Sequence, residues 1–139
     1  MKRLHLFLFI IPLVVVSCGK GGAEKVADEF HQKLDEGEHT YIIENLADKE
    51  SKTPEEEWKS FLELVESWGP QKNREKKMAV SHSVSNGEKT VKLSYTFETD
   101  TYGLIHERII LVKRGNDFKV FAVFMDSDEA VVKEQTKDY

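Results

Sequence analysis

Several residues in this chain are of types that do chemistry. His31, Asp35, Glu38 and His39 could be drawn as a metal cluster, because His31 and Asp35 lie one helical turn apart. Gly37 should end that helix before His39, however, and no HExxH-type pair occurs. A solvated charged face is therefore the expected reading, with no metal and no cofactor. Ser and Thr are plentiful, yet none sits in a nucleophile elbow. Gly21-Gly22 lacks the pattern of a phosphate loop, and no catalytic residue is assigned. The single cysteine, Cys18, cannot form an intramolecular disulfide, so the fold must be held by its core.

The elements that would position these groups are legible. Ala23, Val26, Ala27, Phe30 and Leu34 recur at three- and four-residue spacing, which predicts a helix closed by Gly37. Glu24, Asp28, His31 and Asp35 form a separate polar stripe, and Glu29 and Lys33 can pair at i,i+4. Residues 40–46 read as one or two helical turns. Thr53-Pro54-Glu55-Glu56 is a helix start, with Thr53 as cap and Glu56 completing a capping box. Trp58, Phe61, Leu62, Val65 and Trp68 follow on one face until Gly69-Pro70.

After Pro70 the period falls from about 3.6 to 2. Met78, Val80, His82 and Val84 alternate with smaller residues, and Asn86-Gly87 is a hairpin signal. Val91, Leu93, Tyr95 and Phe97 predict a second strand, and Ile105, Glu107, Ile109 and Leu111 a third. A fourth runs from Phe118 to Met125, with Phe118, Val120, Ala122 and Phe124 on one face and Phe121, Val123 and Met125 on the other. Apolarity on both faces predicts a central or two-sided position. The expected fold class is α+β: three N-terminal helices, one short, packed on a four-stranded antiparallel meander sheet. The domain should span 23–126, followed by a polar tail at 127–139 that is either partly helical or loose.

The N-terminus carries an address. Lys2 and Arg3 precede an uncharged apolar run from Leu6 to Val16, 11 residues long. A spanning helix needs roughly 20, whereas a signal peptide's apolar region needs roughly 7–15. The run ends in Val15-Val16-Ser17-Cys18, which resembles the lipobox of bacterial lipoproteins. That resemblance implies a signal peptide at 1–17, cleavage after Ser17, and lipid on the Cys18 thiol. Residues 18–22 would form a short lipidated tether. Two or three acyl chains anchor stably, at roughly 0.8 kcal/mol per buried methylene. The implied location is the cell envelope, and the outer membrane in a Gram-negative organism, because Gly19 is not the Asp of inner-membrane retention. Loss of Lys2 and Arg3 leaves 18 basic and 25 acidic residues, or −7. An acidic domain without a basic stripe is not expected to bind nucleic acid.

The domain in turn resembles small exported proteins with a cystatin-like or nuclear-transport-factor-two-like cone. The matching features are Ala27-Asp28-Glu29-Phe30, the Trp58-to-Gly69 helix, and Glu107-Arg108-Ile109-Ile110-Leu111 with Gly115-Asn116-Asp117-Phe118-Lys119-Val120. Many members have Trp in the place of Phe118. The cone implies a pocket between helices and curved sheet, and the polar residues that could face into it are Tyr41, His82, Tyr95, His106 and Glu107. A Tyr or neutral carboxylic acid in a dry pocket can donate to an oxyanion, as in isomerase chemistry. The simpler expectation is that such residues are core members with one satisfied polar tip.

Three functions follow as expectations. The first is a membrane-tethered, non-catalytic module that binds a small ligand or an envelope protein, with no convergent ionisable pair and a homodimer through the sheet face. The second is a small pocket enzyme of isomerase or hydratase type, with His82, Tyr95 or Glu107 converging on one cavity. The third is an inhibitor or immunity-type protein.

Overall fold

The computed structural model describes residues 22–77 and 81–139. Helix α1 (Gly22–Asp35) buries Ala23, Ala27, Phe30 and Leu34 on one face. Gly37 ends it at φ +69°, with the Gly37 amide donating to the Leu34 carbonyl and the Glu38 amide to that of Lys33. This left-handed cap satisfies carbonyls that the helix leaves open. Lys33 pairs with Glu36 and Glu38 rather than with Glu29. Glu29 instead accepts from the Tyr41 hydroxyl.

A single helical turn, α2 (His39–Tyr41), runs into a π-turn over Ile42–Leu46, which buries Ile42, Ile43 and Leu46. Helix α3 (Glu55–Ser67) buries Trp58, Leu62 and Val65. The expected Thr53 cap is not made: Pro54 occupies the N-cap and no side chain caps the helix. Three successive glutamates, Glu55, Glu56 and Glu57, fill the first turn instead, where the helix dipole favours negative charge.

The sheet is antiparallel and has five strands: β1 (Lys72–Lys76), β2 (Ser81–Ser85), β3 (Glu88–Thr99), β4 (Gly103–Arg114) and β5 (Asp117–Asp126). Its order is β1-β3-β4-β5, and β2 also pairs with β3. β2 takes the Glu88–Lys92 end of β3, while β1 takes Tyr95–Glu98. The fifth strand is a correction to the expected four. Lys-Asn-Arg-Glu-Lys has no apolar alternation to announce β1, and only the waiting edge of β3 makes it a strand. The expected strand start at Met78 and Val80 lies outside the described residues. Asn86 and Gly87, at φ +52° and +78°, form the predicted tight hairpin.

A bulge corrects the reading of β5. Ile110 faces Ala122, but Leu111 faces Val120, so Phe121 is the extra residue. One inserted residue exchanges the faces beyond it. Val120 therefore shares the core side with Val123 and Met125, and Ala122 and Phe124 turn outward. β5 is also an edge strand, not a central one. Apolar periodicity reports contact on two faces and says nothing about neighbours on two edges.

The inner face of the sheet (Val91, Leu93, Tyr95, Ile109, Leu111) joins the helices in one core. Ile110 and Val112 lie on the other face and are also buried. Part of that cover comes from a fourth helix, α4 (Glu129–Gln135), inside the polar tail, so of the two expected forms, partly helical or loose, the helical one is found. Its start is capped by Asp128, and Lys92 and Arg108 donate from the sheet to Thr136. The Tyr139 ring edges onto Phe121 and Phe124. A single chain thus shields much of the second face that was expected to need a partner copy. The loop after the π-turn is fastened to the sheet by Arg114, whose guanidinium spans both oxygens of buried Asp48 at 3.0 and 2.8 Å.

Candidate functional site: a buried histidine–carboxylate pair beside an open cleft

His31 belongs to two stripes of α1. It continues the charged series Glu24, Asp28, Asp35, and it also stands four residues after Ala27 and three before Leu34. The fold uses the second relation. His31 is 4% exposed, and its Nε2 lies 2.6 Å from Oε1 of Glu107. Glu107 is the inward residue of β4 between Ile105 and Ile109, and its side chain has no solvent exposure. A contact this short between two buried side chains fixes the imidazole against the strand.

Tyr95 completes the group. It is the direct cross-strand neighbour of Glu107. Its ring meets that of His31 edge to face, with centroids 4.6 Å apart at 84°. The Tyr95 hydroxyl and the second oxygen of Glu107 are both buried and have no hydrogen-bond partner among the described residues. Burial pushes the Tyr95 phenol well above its ordinary value, and the negative charges of Asp28, Glu107 and Glu24 push it further, against a smaller opposing effect of Arg74. Tyr95 therefore stays protonated and keeps a proton to donate.

His31 and Tyr95 line a cleft of about 650 Å³ that opens to solvent between α1 and β1. Asp28 and Asp35 stand on its helix side, Arg74 and Lys76 on its strand side. Two ion pairs cross it: Arg74 spans both oxygens of Asp35 at 3.1 Å, and Lys76 reaches Glu24 at 2.7 Å. The volume suits a small ligand. A histidine with one ring nitrogen on a carboxylate is held in a fixed orientation. Such a pair can accept a proton or hold a hydrogen-bonding ligand.

The sequence-based candidates separate. Tyr95 and Glu107 come together on the inner face. Tyr41 is half-buried on α2, donates to Glu29 at 2.5 Å and carries Lys33 over its ring. His82 is solvent-exposed on β2, beside a different cavity near Lys89 and Phe118. His106 is on the outward side of β4, facing Thr96 across the ladder. Cys18 lies outside the described residues. The expectation of a site without a convergent ionisable pair is overturned by His31 and Glu107. His31 itself was missed because its polar-stripe membership was the louder signal. The four drawn as a metal cluster point to different partners: His31 to Glu107, Asp35 to Arg74, Glu38 to Lys33 and His39 to Glu66. Among the described residues, no group of three or more His, Cys, Asp or Glu is placed to hold a metal.

No family model matches the chain, and no curated protein matches it. Solved structures do. A candidate ketosteroid isomerase from Shewanella frigidimarina superposes with a TM-score of 0.55 at 12% identity, covering 77% of this chain and 96% of that one. Aln2 from a Streptomyces species gives 0.52 at 8% identity, covering 81% and 93%. The domain has a nuclear-transport-factor-two-like fold. At these identities the likeness speaks for architecture alone, because one fold hosts many functions.

Proposed function

We propose that this protein is a lipoprotein of the bacterial envelope, anchored through lipid on Cys18, whose cone-like domain binds a small polar ligand in the cleft beside His31 and Tyr95. The address rests on the Val15-to-Cys18 lipobox resemblance. None of the described helices is long and apolar enough to cross a membrane. The binding reading rests on one observation. Two buried polar atoms, the Tyr95 hydroxyl and the second Glu107 oxygen, have no partner within the described chain. Such groups cost about 1–3 kcal/mol each unless something satisfies them, and a polar ligand in the cleft would satisfy the Tyr95 hydroxyl, whose residue lines it. The test is native mass spectrometry of the lipoprotein released from envelopes by mild detergent. A small molecule should accompany the wild type and be lost in Tyr95→Phe and His31→Gln. Equal occupancy in all three, or none in the wild type, would refute it.

A second reading is favoured by the His31–Glu107 pair, whose wiring is that of an oriented general base. In that reading the imidazole removes a proton from a bound substrate, Glu107 stabilises the imidazolium, and the Tyr95 hydroxyl donates to the oxygen that gains charge. Solvent deuterium should then enter a bound carbon acid, and Glu107→Gln should abolish its incorporation while leaving binding in place. Unlabelled ligand recovered from the wild type removes this reading and leaves the first intact.

A further inference from the structure

The charges of the cleft do not cancel, and the remainder has a sign. Arg74 is committed to Asp35, Lys76 to Glu24, and Lys33 to Glu36. Asp28 lines the same cleft, and no ion pair or hydrogen bond engages it among the described residues. The His31–Glu107 pair is neutral or negative, whichever form the imidazole takes. Every cation on the cleft wall is therefore answered, and one carboxylate is not. A concave site lined by excess charge of one sign concentrates ligands of the other.

The unpartnered Tyr95 hydroxyl is an independent pointer to the same place. It is buried and lines the cleft. Because it stays protonated, its oxygen is a neutral acceptor for an N–H donor, and its proton remains available for an acceptor. We propose that the cleft takes a small organic cation, with the ammonium group held between the Asp28 carboxylate and the Tyr95 hydroxyl oxygen. An anion would have to displace Asp35 from Arg74 or Glu24 from Lys76, and would then face Asp28. One further donor, Arg74 Nε, is buried without a partner among the described residues. It favours an ammonium compound that also carries an acceptor oxygen over a plain alkylamine. This inference rests on the binding reading above and adds the class of ligand.

The test compares three four-carbon probes of one size: putrescine, butanediol and succinate. They are titrated at fixed ionic strength into the full chain in detergent micelles, with histidine rings isotopically labelled. The His31 resonances, assigned by their loss in His31→Gln, report the cleft. Putrescine should shift them saturably and bind at least about tenfold more tightly than butanediol, in line with a hydrogen bond to a charged group. Succinate should leave them unmoved. Asp28→Asn, a change at an exposed helix position, should bring putrescine down to the level of butanediol. Butanediol or succinate binding as tightly as putrescine overturns the cation and leaves the binding reading standing. Putrescine binding that Asp28→Asn does not weaken also overturns it, as general attraction to an acidic surface. If no probe moves His31, the inference falls, and the binding reading is decided separately by whether a small molecule accompanies the released protein.

Discussion

The His31–Glu107 pair gives the sharpest stability prediction. Replacing His31 with Leu leaves the Glu107 carboxylate in the core with neither oxygen partnered, since its second oxygen already has no partner among the described residues. Breaking a buried pair from one side typically costs about 3–5 kcal/mol, because the remaining charge has no compensation. With His31 only 4% exposed and the Glu107 side chain fully enclosed, solvent can do little to relieve it. Set against a whole-domain stability of about 5–15 kcal/mol, the loss is severe. At roughly 4 °C per kcal/mol for a domain near this size, the melting temperature should fall by about 12–20 °C. Glu107→Met should cost less, because an apolar group of similar shape needs no partner, although His31 then loses its acceptor. The double variant His31→Leu/Glu107→Met removes both polar groups and should return to within about 1–2 kcal/mol of the wild type or exceed it. Urea unfolding of all four proteins closes the cycle, with an expected coupling of about 3 kcal/mol. Ligand binding should stay absent in the double variant even where stability is restored. A His31→Leu variant within about 1 kcal/mol of wild type, or a double variant no more stable than the worse single one, would mean that the pair is not an energetically coupled buried contact. Recovered stability with binding intact would make the pair structural only.

Three further outcomes are expected. The folded state raises the Tyr95 phenol above its unfolded value of 10.0, so the unfolded chain releases that proton first. Stability should therefore be unaffected by this group below about pH 10 and fall above it by up to about 1.4 kcal/mol per pH unit. Tyr95→Phe should flatten this alkaline limb in pH-dependent unfolding and cost nothing at neutral pH, since the lost hydroxyl had no partner; an unchanged limb would count against its burial. Arg114→Lys should lower stability in urea by about 1–2 kcal/mol, because an ammonium cannot span both oxygens of buried Asp48 as the guanidinium does, and a neutral result would mean the latch carries no weight. Cys18→Ser should abolish incorporation of radiolabelled palmitate and leave the chain uncleaved in membranes, while labelling that persists would remove the lipobox reading.

Local signals carried much of the fold. The spacing of Ala27, Phe30 and Leu34, the Gly37 stop, the run Trp58 to Val65 and the Asn86-Gly87 turn each rest on contacts within a few residues. Those contacts are written in consecutive positions, and the elements appear where the periodicities place them. Residue types alone also set the acidic balance and the uncharged apolar run that ends at Cys18. What the sequence left open is whatever needs a partner far along the chain. β1 exists because β3 offers an edge, and α4 is seated because Lys92, Arg108, Phe121 and Phe124 meet its end. The Phe121 bulge, which no alternation reveals, reassigns the faces of β5. The site is the clearest case. Glu107 was visible as a charge in an inward series, and Tyr95 as its neighbour across a hairpin. His31 was not, because a histidine at the border of an apolar and a polar stripe is decided by what lies opposite. Glu107 lies 76 positions away, and only closure of helix against sheet turns an ambiguous histidine into the centre of a buried pair.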